Sequence, residues 1–337
     1  MKSEATVIGG PKMIFEKQII GIYNGIMGTR NDPTGDIHYF SHTDFEGLSA
    51  EGISFPGGNG QRLVGNIYYR GEKRRDRLII FDHGMGCGHV AYMREIDVIT
   101  RHGYTVLTYD HTGCRHSEGE SVRGFAQSLS DLDHCIKFVK SRDDLSGATI
   151  SVMGHSWGAF STMNIPALHP EISHVVAFSG FISVDAVLSQ FFAGPLKFYV
   201  SAVYKLESER NPEYVSFDAR ESIKTTDTKA LYIHSRDDKT VNARLHFDKL
   251  QEALSDRPGT YFIELCGRNH NPNYTDGAVA LLTDMQKKLG KFRKKNKNAT
   301  PEEKAAFVAS FDWAAITEQD ESLWEKIFRF LEDEEFV

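Results

Sequence analysis

The sequence predicts an α/β fold with a mostly parallel central sheet flanked by helices, and three observations carry that prediction. Short β-branched runs recur through the middle of the chain, apolar stripes of helical spacing fill the gaps between them, and no repeat period appears. With 40% hydrophobic and 25% charged residues, the 337-residue chain can bury a core of that kind, which excludes global disorder, collagen and coiled coil.

The elements follow in order. Residues 1–49 are Gly-rich and irregular, with an apolar patch from Ile14 to Ile26, and read as an N-terminal extension: an arm, a lid or a dimer contact. The runs Gly52 to Phe55 and Arg62 to Tyr69 flank the turn-rich segment PGGNGQ and predict a hairpin. Further strands are expected at Leu78 to Phe81, Thr105 to Tyr109, Thr149 to Met153, His174 to Phe178, Ala230 to His234 and Tyr261 to Leu265. Phe125, Leu129, Leu132, Ile136 and Val139 recur at helical spacing and mark a face that packs on the sheet. Weaker stripes at Val90, Met93 and Ile96, and at Leu245, Leu250 and Leu254, supply further crossover helices.

The α/β core is thus expected over 50–290. Within it, residues 180–228 interrupt the rhythm with an aromatic, helix-compatible stretch (Phe191, Phe192, Phe198, Tyr199, Tyr204), the composition of a helical cap whose aromatics form its core. Residues 291–337 are expected to dock as a helical extension. There Thr300-Pro301-Glu302-Glu303 is a capping box with proline at the first helical position, and Trp324, Ile327, Phe328 and Leu331 share one helical face.

Charge and cysteine usage narrow the function. A net charge of −7 offers phosphate backbones no global attraction, so nucleic acid is not an expected partner. The seven cations between Lys287 and Lys297 read as a solvated helix end that the acidic tail from Glu332 can neutralise. Four dispersed cysteines fit free thiols in a reducing compartment. The first ten residues lack an apolar leader and no stretch approaches the ~18 apolar residues of a membrane span, so a cytoplasmic protein without stable membrane insertion is expected. No metal or cofactor is expected, because H-E-x-x-H and paired Cys/His spacings are missing from the sequence.

The chemistry centres on Gly154-His155-Ser156-Trp157-Gly158, a G-x-S-x-G motif between a β-branched run and a helical segment. A strand that turns sharply into a helix leaves its central serine strained and exposed, and side chains two residues to either side would strike neighbouring backbone. A serine hydroxyl needs a base to take its proton, and the base needs an orienting acid. Polar turns after the last two strands supply both: Asp237 and Asp238 in one, His270 in the other. His155 is expected to point away from Ser156 and pack, and His83 to fix the loop after the third strand. The order Ser156, Asp238, His270 is that of a Ser, Asp, His triad.

In these residues the chain resembles the α/β-hydrolase superfamily, in particular capped esterases, monoacylglycerol-lipase-like and serine aminopeptidase-like enzymes. The resemblance covers roughly residues 50 to 290 and rests on the hairpin, His83-Gly84-Met85-Gly86, the serine turn, and the Asp and His turns. The family pattern H-G-x-x-D-x-x-V fits His234 to Val241, with Ser235 in place of glycine, and selects Asp238 over Asp237, which is left as a solvated turn residue. The resemblance further implies an oxyanion hole from the backbone N–H groups of Met85 and Trp157. It also implies a cofactor-free serine hydrolase of a carboxylic ester, and the insertion over 180–228 points to a small or medium acyl ester with an apolar portion. Arg115 departs from the family, standing where relatives often have glycine. An amide or thioester hydrolase, with Glu207, Glu209 or Glu213 holding a peptide terminus, is the alternative within enzymes; a binding protein with an idle pocket is the alternative outside them. Nothing in the sequence chooses between a monomer and a homo-oligomer.

Overall fold

A computed structural model describes residues 15–86 and 88–334. Its sheet has eight strands in the order β1-β2-β4-β3-β5-β6-β7-β8. β1 (Ser49–Pro56) and β2 (Arg62–Tyr69) form the predicted hairpin, and β2 runs antiparallel to β4 (Thr105–Asp110). From β3 (Leu78–Asp82) onward the neighbours are parallel: β4 and β5 (Ile150–His155) flank β3, and β6 (His174–Phe178), β7 (Lys229–Ser235) and β8 (Thr260–Leu265) follow β5. β3 to β6 are buried along their whole length, as expected of parallel strands covered on both faces.

Twelve α-helices connect and flank these strands among the described residues. α1 (Glu16–Met27) lies in the N-terminal extension; α2 (Met93–Arg101), α3 (Gln127–Ser141) and α4 (Trp157–Asn164) are crossovers. Between β6 and β7 the chain inserts α5 (Val184–Phe191), α6 (Val200–Arg210) and α7 (Ala219–Ser222). α8 (Phe247–Leu254) precedes β8 and α9 (Asp276–Lys295) follows it. α10 (Pro301–Ala309), α11 (Trp313–Ile316) and α12 (Glu321–Leu331) form the C-terminal extension.

The apolar face predicted for α3 lies in the main core with β1, β2 and α4. On the other side of the sheet, Ile96 and Ile99 of α2 pack with Trp324, Ile327 and Phe328 of α12. The capping box at the start of α10 is present: Glu303 Oε2 accepts from the Thr300 N–H at 2.9 Å and Thr300 Oγ1 from the Glu303 N–H at 3.3 Å.

Three expectations need correction. Leu245 precedes α8 and is exposed, so the inward stripe there is Phe247, Leu250 and Leu254. Phe191 and Phe198 of the insertion are 52% and 63% exposed and are therefore not its core. Among the described residues the acidic tail pairs with scattered cations and not with the basic run of α9: Glu332 with Arg77 at 2.8 Å, and Asp333 with Lys229 and, through a hydrogen bond, His174. Arg293 of that run instead meets the buried Asp36 at 2.8 Å.

A fully buried carboxylate fastens the insertion to the core. Glu207 of α6 accepts the Phe125 N–H at 2.7 Å and the Ala126 N–H at 3.4 Å, both at the start of α3, and the Tyr23 hydroxyl of α1 also bonds to it. Negative charge at a helix N-terminus is favourable, while burial pushes this carboxyl above its ordinary range. Glu207→Ala, which strands those buried donors, is expected to destabilise the fold by about 2–4 kcal/mol in chemical denaturation. A loss below about 0.5 kcal/mol, the size of an ordinary surface substitution, would show that the carboxylate holds nothing.

Candidate functional site

Parallel strands end on one edge of a sheet, and every site residue singled out in the sequence sits on that edge: Met85 beyond β3, Ser156 and Trp157 beyond β5, Asp238 beyond β7 and His270 beyond β8. The turn from β5 into α4 is tight. A Cβ on Gly154 would lie 2.4 Å from the Gly158 carbonyl oxygen, and one on Gly158 would lie 2.0 Å from that of Asp82. The two flanking glycines are therefore sterically required. Ser156 between them has φ 55° and ψ −110°, a backbone state that a non-glycine residue adopts only when its surroundings impose it. Its N–H bonds to the Phe178 carbonyl at 2.9 Å, which ties the turn to β6.

Asp238 and His270 come together from turns 32 residues apart: His270 Nδ1 lies 2.7 Å from Asp238 Oδ2. The other carboxylate oxygen, Oδ1, accepts the N–H groups of Thr240 at 2.8 Å and Val241 at 3.0 Å. Burial alone would raise this carboxyl, but hydrogen bonds from His234 and His270 and the His270 charge outweigh it and hold Asp238 well below the usual carboxylate range. The Asp238 carboxylate is therefore ionised at neutral pH. The His270 side chain is 20% exposed while that of Asp238 is fully buried, so the imidazole spans from a closed anion to the open edge.

Among the described residues no hydrogen bond or ion pair joins Asp237 to His270, yet Asp237 is more than the solvated turn residue expected. Its Oδ1 accepts from Ser235 Oγ at 2.6 Å and from the Gly267 N–H at 2.8 Å, and its Oδ2 from the Asn269 N–H at 3.3 Å. It thereby shapes the loop that carries His270.

His155 is buried as expected, and it does more than pack. Its Nε2 lies 2.7 Å from the His270 carbonyl oxygen and its Nδ1 2.9 Å from the Tyr92 hydroxyl. The rings of His155 and His270 have centroids 4.8 Å apart, so His270 lies against the residue that immediately precedes Ser156. Among the described residues no hydrogen bond joins Ser156 Oγ to His270, a looseness common where no ligand is bound. Neither Tyr92 nor the role of Asp237 was singled out in the sequence, because both depend on partners in distant turns.

Around Met85, His83 Nδ1 is 2.6 Å from the Gly84 carbonyl oxygen, and His83 Nε2 accepts the His111 N–H at 2.9 Å. Trp157 is buried and donates its indole N–H to the Phe125 carbonyl at 2.7 Å. Phe125 is flanked by Phe181 and by the exposed Phe191, with ring centroids 5.5 and 6.0 Å away. The Phe125–Trp157 bond ties this aromatic group to the serine turn. A cavity of about 250 Å³ next to His270 is lined by Lys239, Asn269, Val279 and Leu282. A second, of about 280 Å³, lies between the insertion and α8, lined by Asp185, Tyr204, Arg220 and Lys249, and includes none of the candidate residues. Cys87 lies outside the described residues, and Cys114 is buried.

Among the described residues no His, Cys, Asp and Glu cluster is arranged to hold a metal ion, and no helix is long and apolar enough to cross a membrane. A search of curated proteins returns no match. Solved structures similar in fold include an esterase of Pyrococcus furiosus, with TM-score 0.56 and 19% identity over 79% of this chain and 98% of that one. An α/β hydrolase of Penicillium sp. sh18 gives 0.51 and 15%, over 73% and 98%. An acylaminoacyl peptidase of Pyrococcus horikoshii gives 0.52 and 14%, over 66% and 38%. At these identities the likeness establishes the α/β-hydrolase fold and leaves the substrate open. Residues 73–246, just over half of the chain, match the family model for serine aminopeptidase S33; that stretch contains Ser156 and Asp238 and ends before His270. The chain belongs to the serine aminopeptidase S33 family of α/β hydrolases.

Proposed function

We propose that this α/β hydrolase is a serine esterase that cleaves a small or medium carboxylic ester through an acyl-enzyme. The observation that carries the proposal is the 2.7 Å bond from His270 Nδ1 to a closed, ionised Asp238, on the sheet edge that also presents Ser156 in its strained turn. His270 Nε2 takes the proton of Ser156 Oγ as that oxygen attacks the acyl carbon, and Asp238 holds the imidazole in the required tautomer. The carbonyl oxygen becomes negative and meets the N–H groups of Met85 and Trp157, each such donor contributing about 3 kcal/mol. His270 returns the proton to the departing alkoxide. Water then attacks the acyl-Ser156 by the same route and releases the acid.

Two features favour an ester over a peptide. Glu207, the buried acid of the insertion, is taken up by Tyr23 and the start of α3, while Glu209 pairs with Lys205 at 3.9 Å and Glu213 borders a different hollow with Lys137 and Tyr214. A peptide terminus thus lacks the anionic partner that the amide alternative would need from these residues. The shelf of Phe125, Phe181 and Phe191 suits an apolar acyl chain. Amide cleavage is the second reading, favoured by the family match. A p-nitrophenyl ester series from acetate to laurate, run beside aminoacyl p-nitroanilides, tests the choice. The expected result is ester turnover peaking at an intermediate chain length, with anilide turnover lower by at least about 100-fold, the scale by which a site lacking a polar partner rejects a substrate that needs one. Faster anilide cleavage would replace the ester reading by the peptidase one.

A further inference from the structure

Two side chains outside the candidate triad connect its parts. Tyr92 closes the short helical turn His89–Tyr92 ahead of α2, and His155 is the last residue of β5. Tyr92 Oη accepts the Gly84 N–H at 3.0 Å and lies 2.9 Å from His155 Nδ1; His155 Nε2 lies 2.7 Å from the His270 carbonyl oxygen. Loops that follow β3 and β8 are thereby joined across the end of β5, although β6 and β7 stand between β5 and β8 in the sheet.

Proton positions follow by elimination. A carbonyl oxygen only accepts, so His155 Nε2 carries a proton. Burial, with the neighbouring His270 charge acting in the same sense, lowers His155 to about 3, so the ring is neutral and its Nδ1 is bare. Tyr92 therefore donates to Nδ1 while accepting from Gly84, and each bond in the chain has one direction. On the other side of Gly84, His83 Nδ1 holds the Gly84 carbonyl at 2.6 Å. That carbonyl shares a rigid peptide plane with the Met85 N–H. A Cβ on Gly84 would lie 2.5 Å from the Tyr92 hydroxyl, so the close approach needs glycine.

We propose that Tyr92 and His155 are positioning residues: they fix the distance between the Gly84–Met85 loop and the His270 backbone, and so hold the oxyanion donor and the base at one spacing about Ser156. Neither touches the reacting atoms, and each acts through a group that does. Removing the chain leaves Ser156, Asp238 and His270 in place but lets the two loops drift, and misplacement on the scale of 1 Å costs rate and not binding. The inference rests on the hydrolase reading above and assigns two residues which that reading does not use.

Tyr92→Phe removes only the hydroxyl and keeps the ring beside Phe81, whose centroid is 5.2 Å away. Its kcat, counted per site titrated to the end point with a fluorophosphonate, is expected to fall about tenfold while KM stays within about twofold. His155→Leu is expected to lose about 100-fold by the same measure. His155→Gln, whose amide can still donate to the His270 carbonyl, should recover most of that loss. A purely structural role would lower the titratable fraction and the melting temperature and leave kcat per titrated site unchanged, and that result overturns the inference. Equal losses in the Leu and Gln variants overturn it too. If the wild-type protein neither labels nor turns over ester or anilide, the hydrolase reading falls and takes this one with it. Wild-type turnover with an unaltered Tyr92→Phe rate per site removes this inference alone.

Discussion

Ser156→Ala is expected to abolish ester turnover, by about 10,000-fold or more, while the circular dichroism spectrum and the melting temperature stay close to those of the wild type. The size follows from the chemistry, since nothing else in the proposed mechanism supplies the attacking oxygen. The tolerance of the fold follows from the site. Ser156 is only partly buried, and its backbone anchor is the N–H bonded to the Phe178 carbonyl, which alanine keeps. Replacing a residue with φ 55° by another non-glycine residue leaves the backbone strain unchanged. A variant that retained a tenth of the activity would place the nucleophile elsewhere.

Asp238→Asn carries the second large effect. The carboxylate accepts from His270 and from two backbone N–H groups, and an amide in its place turns one acceptor into a donor facing His270 Nδ1. The imidazole is then driven to the wrong tautomer, and kcat is expected to fall about 10,000-fold. Asp237→Asn keeps one oxygen acceptor and turns the other into a donor, so it loses the bond to either the Gly267 or the Asn269 N–H and loosens the His270 loop while leaving the Asp238–His270 bond intact; about tenfold is expected, in line with imperfect positioning. Steady-state kinetics of the pair on one ester decide the assignment. Greater damage from Asp237→Asn would make Asp237 the acid.

Much of the architecture could be read from local pattern, because each element carried its own signal. β2 and β6 were bounded to the residue by β-branched runs and turn residues, and the stripe Leu129, Leu132, Ile136 and Val139 placed α3 on the sheet, while Phe125, predicted to begin that stripe, lies in the turn before the helix. The serine turn was legible for a steric reason, since only glycine fits at 154 and 158. The choice of Asp238 over its neighbour came from family resemblance and not from the residues themselves, and the geometry puts Asp238 on His270. Pairings across long sequence distances were not legible. Glu207 meets Tyr23 over 184 positions, and the tail finds Arg77 and Lys229 in place of the basic run of α9. No local periodicity encodes such partners. The hydrogen bonds of His155 were missed for the same reason, because its two partners belong to turns after other strands. The exposure of Phe191 and Phe198 has a related cause: aromatic content marks an insertion but does not say which of its faces meets the core.

The central claim is that Ser156 is an activated nucleophile. Labelling the intact protein with a fluorophosphonate, with peptide mapping of the modified residue and Ser156→Ala as the control, tests it most directly. The account predicts one label per chain, on Ser156, lost in the alanine variant and in step with the loss of ester turnover. A well-folded protein that stays unlabelled, or carries its label on another residue, would contradict it.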